Sequence, residues 1–171
     1  MRLARDGFRL FLAVLALAAA ARVAGAQETP VILTGSQLLR VVPTGFYFEG
    51  QSAPTQLRNA AAARFGQSRH VIAGMVDTSG YSSEIRAKYE GFFITDSSVS
   101  VGGEGLSAGA YGFGFTDDGK FNLFDVGGRP VLTAPTTRDA RLRRPRPLMM
   151  TRDGDAVRLY SGRSYVAITL R

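Results

Sequence analysis

Two Asp-Gly pairs, Asp118-Gly119 and Asp153-Gly154, each stand between runs of alternating apolar and polar residues. Asp-Gly reverses a chain between antiparallel strands because both residues tolerate the backbone of a tight turn. The first pair joins Gly109–Thr116 to Lys120–Val126, and the second joins Leu148–Arg152 to Ala156–Ser161. Gly162 then turns the chain into Ser164–Leu170. Upstream, His70–Asp77 (HVIAGMVD) is apolar on both faces, the pattern of a central strand covered twice. Glu84–Glu90 (EIRAKYE) puts Glu84, Arg86, Lys88 and Glu90 on one face and Ile85, Ala87 and Tyr89 on the other, which predicts a half-buried strand. Phe46–Phe48, Phe92–Thr95, Val99–Val101 and Val131–Thr133 read as further short strands, as does Gln37–Val42, ended by Pro43. Gln51–Thr55 reads as loop. Gln56–Phe65 (QLRNAAAARF) predicts one short helix, because consecutive alanines favour helix. The expectation is an all-β fold, a small antiparallel sandwich or barrel of about eight to ten short strands.

Met1–Ala26 opens with Arg2, Arg5 and Arg9, continues through the apolar run Phe11–Ala21, and reaches Ala24-Gly25-Ala26. A charged start, an apolar run too short to span a bilayer and a small-residue site are the parts of a signal peptide. It predicts export to the periplasm or beyond, with residues 27–171 as a single β-domain. Cysteine is absent, which excludes disulfides, a thiol nucleophile and every zinc site that needs sulfur.

The formal charge of +7 is unevenly spread. Residues 27–128 hold seven basic and ten acidic residues, whereas residues 129–171 hold ten arginines against three aspartates. A basic C-terminal third suits an anionic partner, or pairs with the acidic part of its own domain. Export argues against nucleic acid. The anions available outside the cytoplasm are anionic lipid, lipopolysaccharide and acidic glycan.

Leu106–Phe124 (LSAGAYGFGFTDDGKFNLF) resembles uncharacterised exported bacterial β-domain proteins, in which a Leu-x-Ala-Gly-x-Tyr turn feeds a strand and hairpin. The resemblance spans 19 residues and implies a β-domain without an assigned activity.

Four groups of residues are candidates for a site. Arg138–Pro147 (RDARLRRPRP) crowds Arg141, Arg143, Arg144 and Arg146 into a run that Pro145 and Pro147 hold away from helix. Guanidinium groups on such a run suit phosphates or carboxylates, and the same run also suits a solvated loop. In Tyr111–Phe115 (YGFGF), Gly112 and Gly114 share a face where something approaches closely, a ligand or a neighbouring element of the fold. Asp77–Ser83 (DTSGYSS) offers Tyr81 and several hydroxyls on a loop. The single histidine, His70, is a possible general base. Its nearest acid in sequence, Asp77, falls on the opposite face of a regular strand.

These residues favour a non-catalytic binding or interaction domain. Arg141, Arg143, Arg144 and Arg146 would supply charge, and Tyr81 or Tyr111 would supply stacking. No cofactor fingerprint and no metal set are expected. Two other readings stay open. One is a small β-barrel hydrolase, isomerase or lyase using His70 with a distant carboxylate such as Asp125 or Glu49. The other is an outer-membrane barrel, which wants strands of about 9–11 residues and aromatic girdles.

Overall fold

A computed structural model describes residues 29–171, and the predicted signal segment Met1–Ala26 lies outside the described residues. The chain forms two antiparallel sheets. The first runs in the order β1 (Val31–Leu33), β3 (Gln51–Phe65), β4 (Arg69–Val76), β5 (Gly91–Thr95), β8 (Gly109–Phe115), β9 (Lys120–Phe124) and β10 (Pro130–Pro135). β2 (Gly45–Phe48) shares the outer edge of β3 with β1. The second sheet runs β12 (Arg146–Asp153), β13 (Ala156–Gly162), β14 (Ser164–Leu170), β6 (Val99–Val101) and β7 (Glu104–Leu106). Beside it, β11 (Thr137–Arg138) pairs with β14. Neither sheet closes on itself, so the architecture is a sandwich and not a barrel. That takes away the closed sheet on which the outer-membrane reading depended. No helix among the described residues is long and apolar enough to cross a membrane.

The turns follow from local chemistry. Thr116 and Lys120 close a three-residue loop at Asp117-Asp118-Gly119, and Gly119 takes the left-handed conformation (φ 80°). Asp153 pairs with Ala156 across Gly154-Asp155, where Gly154 has φ 62°. The strands beside these loops carry out the expected alternation. Phe113 pairs with Leu123 and Phe115 with Phe121, and the Phe115 and Phe121 ring centroids lie 4.9 Å apart.

Apolar residues fill two layers. Between the sheets lie Phe65, Val71, Phe93, Phe113, Phe121 and Leu123 from the first, against Val99, Leu148, Val157, Leu159 and Ile168 from the second. The opposite face of the first sheet is also covered. There Ile72, Val76 and Phe92 pack under Phe46 and Phe48 of β2, with Tyr81 and Tyr89. β4 therefore sends Val71 and Ala73 one way and Ile72 and Val76 the other, as its two-faced apolar pattern requires.

Four segments depart from the reading of the sequence. Gln56–Phe65 is not a helix but the second part of β3. Its alanines alternate between layers: Ala61 and Ala63 face the inter-sheet core, and Ala62 faces the outer one. Small side chains at a doubly covered strand let both layers approach, and burial outweighs a helix preference of under about 1 kcal/mol per residue. Gln51–Thr55, read as loop, is the start of the same strand. Gln37–Val42 belongs instead to helix α1 (Gly35–Val41), whose Leu38 and Val41 pack against the outer core at helical spacing. Glu84–Glu90 is not a strand either. Ser82 caps helix α2 (Ser83–Lys88), its Oγ accepting from the Ile85 N–H at 3.3 Å.

Beyond α2 the Glu90 carboxylate is mostly enclosed and accepts the Phe115 N–H at 3.1 Å. Burial pushes its pKa above the ordinary carboxylate value, against the smaller opposing effect of that hydrogen bond. The fold thus favours the protonated form. The stability that this gives is complete below the ordinary carboxylate pKa and is lost as pH rises through the raised value. Glu90→Gln keeps an acceptor for Phe115 and carries no charge. Thermal unfolding should show it melting above the parent at neutral pH, with the gap closing below about pH 4. A gap that persists at low pH would assign the gain to something other than the buried charge.

Candidate functional site

Where the edges of the two sheets meet, β3 departs from regular pairing. Thr55 opposes Val76 and Ala60 opposes Gly74, so four residues of β3 stand against Met75 alone. The Gln56 amide donates to the Val76 carbonyl at 3.0 Å, and Asn59 donates to the Gln56 side-chain oxygen at 2.8 Å. These bonds hold an outward bulge with Leu57 and Arg58 exposed at its crest. β12 carries an irregularity of its own between Arg146 and Met149.

Between the bulge, β1, α1 and β12 lies an open cleft of about 330 Å³. Its apolar wall includes Ile32, Leu38, Leu57, Leu148 and Met150, and its two cations are Arg58 and Arg146. No carboxylate lines it. The size is at the lower end of small-molecule sites, which run from about 300 Å³ upward. Arg146 therefore belongs both to the arginine run and to the cleft.

The rest of that run is exposed. Asp139 roots it: the Arg141 N–H donates to one Asp139 carboxylate oxygen at 3.0 Å, and the Tyr160 hydroxyl donates to the other at 3.0 Å. The Asp139 N–H donates to the Arg163 carbonyl at 2.8 Å. The loop is extended at both ends and turned through residues 140–144, and so is less straight than its prolines suggest. Arg141, Arg143, Arg144 and Arg146 are all exposed, and no carboxylate lies within ion-pair distance of them among the described residues. The nearest acid in sequence, Asp139, is already committed to the backbone and to Tyr160.

The two tyrosines lie elsewhere. Tyr81 is 5% exposed and belongs to the outer core, its hydroxyl donating to the Gln51 carbonyl at 3.1 Å. Burial raises its pKa. A second, smaller cleft of about 200 Å³ lies over this loop, between Gln51–Pro54 and Asp77–Tyr81. Asp77 is occupied there with its own turn, accepting the Ser79 N–H at 3.0 Å, which lowers its pKa. Tyr111 is half-buried against the inter-sheet core, with its hydroxyl donating to the Ser107 carbonyl at 3.0 Å.

The glycine face is filled by the fold itself. A Cβ at Gly112 would meet the Phe48 ring at 2.5 Å, and one at Gly114 would meet the Lys88 carbonyl oxygen at 2.1 Å. His70 pairs with Asp96, at 3.1 Å between Nδ1 and Oδ2, and its backbone N–H donates to the other carboxylate oxygen at 2.8 Å. Glu49 is bound to Lys88 at 2.8 Å. Asp125 accepts the N–H groups of Gly127 and Arg129, each at 2.9 Å. The Val76 N–H, at one end of β4, donates to the carbonyl of Glu90, two residues after Lys88, whereas His70 lies near the other end of that strand, roughly 20 Å from Val76 at the usual rise per residue. His70 and the two acids named for it are thus engaged separately. Neither cleft is lined by His70. Among the described residues no group of three or more His, Cys, Asp or Glu could hold a metal ion.

Arg58 and Leu57 were missed because they sit inside the segment read as helix. The break between Gln56–Asn59, polar apart from Leu57, and the alanine run was the available signal. Comparison of the chain with known protein families, with curated proteins and with solved structures gives no match.

Proposed function

We propose that the chain is an exported, non-catalytic binding module for an anionic lipid surface. The charged, apolar and small-residue pattern of Met1–Ala26 supports export. The observation that carries the binding reading is the run of exposed, uncompensated arginines at Arg141, Arg143, Arg144 and Arg146. Leu39 and Leu57, 58% and 44% exposed, stand on the elements that frame the neighbouring cleft. Apolar tips beside guanidinium groups are the chemistry of a surface that meets phosphate headgroups.

Flotation with phosphatidylglycerol-containing vesicles tests this. Binding should fall with added salt, and vesicles of phosphatidylcholine alone should not bind. Each arginine near an anionic surface contributes about 1 kcal/mol, so Arg143→Ala with Arg144→Ala should weaken binding about thirtyfold. Salt-insensitive binding, or a double variant that floats like the parent, would remove the arginine run from the function. Retention on an acidic polysaccharide without flotation would move the ligand to a glycan.

A further inference from the structure

We infer that the cleft between β1, α1, the β3 bulge and β12 holds the aliphatic tail of a fatty-acid-like carboxylate, with Arg58 and Arg146 on its head. The inference rests on the anion-binding reading above and adds a defined pocket and a ligand class. Three observations converge on it. Part of the wall is aliphatic, from Ile32, Leu38, Leu57, Leu148 and Met150, with a methionine that adapts to a flexible chain, and Thr34 and the two arginines complete it with polar groups. The cleft carries two guanidinium groups and no carboxylate, and neither arginine has an ion-pair partner among the described residues. Leu57 stays 44% exposed although core positions lie on both sides of it in sequence, because the Gln56–Asn59 hydrogen bond holds the bulge outward. An aliphatic surface combined with two guanidinium groups and no carboxylate matches a ligand that is apolar along its length and anionic at one end. A uniformly polar sugar would leave the leucines without a partner, and a neutral hydrocarbon would leave the arginines without one.

Titration with a series of saturated carboxylates from butanoate to dodecanoate, below their micelle concentrations, reads this directly. Each added methylene should tighten binding about fourfold until the cleft is filled, after which affinity levels off. Methyl resonances of Leu57, Leu148 and Met150 should shift with decanoate. Arg58→Ala with Arg146→Ala should weaken decanoate about a hundredfold, since charge-assisted hydrogen bonds are at stake and both side chains are exposed enough to be replaced without loss of core. Decyltrimethylammonium, with the same tail and the opposite charge, should not compete.

Affinity independent of chain length overturns the inference, as does decanoate binding that survives the double variant or shifts only methyls away from the cleft. Self-association through Leu57 that decanoate does not disturb would instead give the cleft to a second copy of the chain, and overturns it too. Failure here leaves the vesicle result with Arg143 and Arg144 untouched, because those residues do not line the cleft. Failure of vesicle flotation with intact decanoate binding would remove the surface reading alone.

Discussion

Phe48→Ala should lower the unfolding free energy by about 3–5 kcal/mol, the range for truncating a buried phenylalanine. Phe48 is fully buried in the outer layer. Its ring stacks on Tyr89 at 4.0 Å between centroids, meets Phe124 edge-on at 6.3 Å, and covers the bare backbone of Gly112. Stacked and edge-on aromatic pairs add about 0.5–1.5 kcal/mol to the burial itself. The site cannot collapse easily. Phe48 ends β2 beside the Glu49-Gly50 turn, where both residues have positive φ, and Glu49 is held by the Val126 carbonyl and by Lys88. Domains of this kind have only about 5–15 kcal/mol in total, so the variant should lose much of its margin. Urea denaturation reads the loss. Phe48→Leu, which keeps most of the volume, should recover more than half of it. A Phe48→Ala cost below about 1 kcal/mol would mean that the outer layer contributes little to stability.

Gly114→Ala should be nearly as damaging, by about 3 kcal/mol, for the opposite reason. A Cβ there would lie 2.1 Å from the Lys88 carbonyl oxygen and 2.9 Å from its carbon. Those atoms are backbone at the end of α2 and cannot rotate aside. Nor can β8 retreat, since β5 and β9 flank it and Phe113 and Phe115 are packed on its other face. The whole of α2 would have to lift, and with it Tyr89 from its stack on Phe48. Gly154→Ala is the control. It has positive φ (62°) but open space around it, so it should cost only the left-handed strain of about 1–2 kcal/mol. A loss at Gly114 no larger than that at Gly154 would show that the approach of α2 yields to an added methyl group, since Gly114 itself has no left-handed backbone to explain a cost.

The contrast between these glycines marks how far the sequence could be read. The hairpins at Asp117–Gly119 and at Gly154-Asp155 were legible because turn geometry depends on two or three adjacent residues. The inward face of β8 was legible too, as Tyr111, Phe113 and Phe115 alternate with glycines. What covers those glycines was not. Nothing near Gly114 in sequence announces Lys88, and the covering segment itself had been read as a strand. Six helical residues are too few for a period of two to be told from one of 3.6, so the capping Ser82 was the better guide.

The candidate site divides in the same way. Arg141, Arg143, Arg144 and Arg146 stand out by composition alone. Arg58, placed with Arg146 in one cleft although 88 residues separate them in sequence, could be found only in the fold. Tyr81 looked available on its loop and is taken up by the outer core.

Local chemistry in the sequence was enough to set the turns, the strands between them and the antiparallel all-β class, because each rests on a few neighbouring backbones. The tertiary structure alone decided which short segments became helices, why the alanine run became a strand, and where an aliphatic cleft meets two arginines. Those outcomes turn on which surfaces are covered, and differences in local propensity of under about 1 kcal/mol per residue yield to the burial of whole side chains.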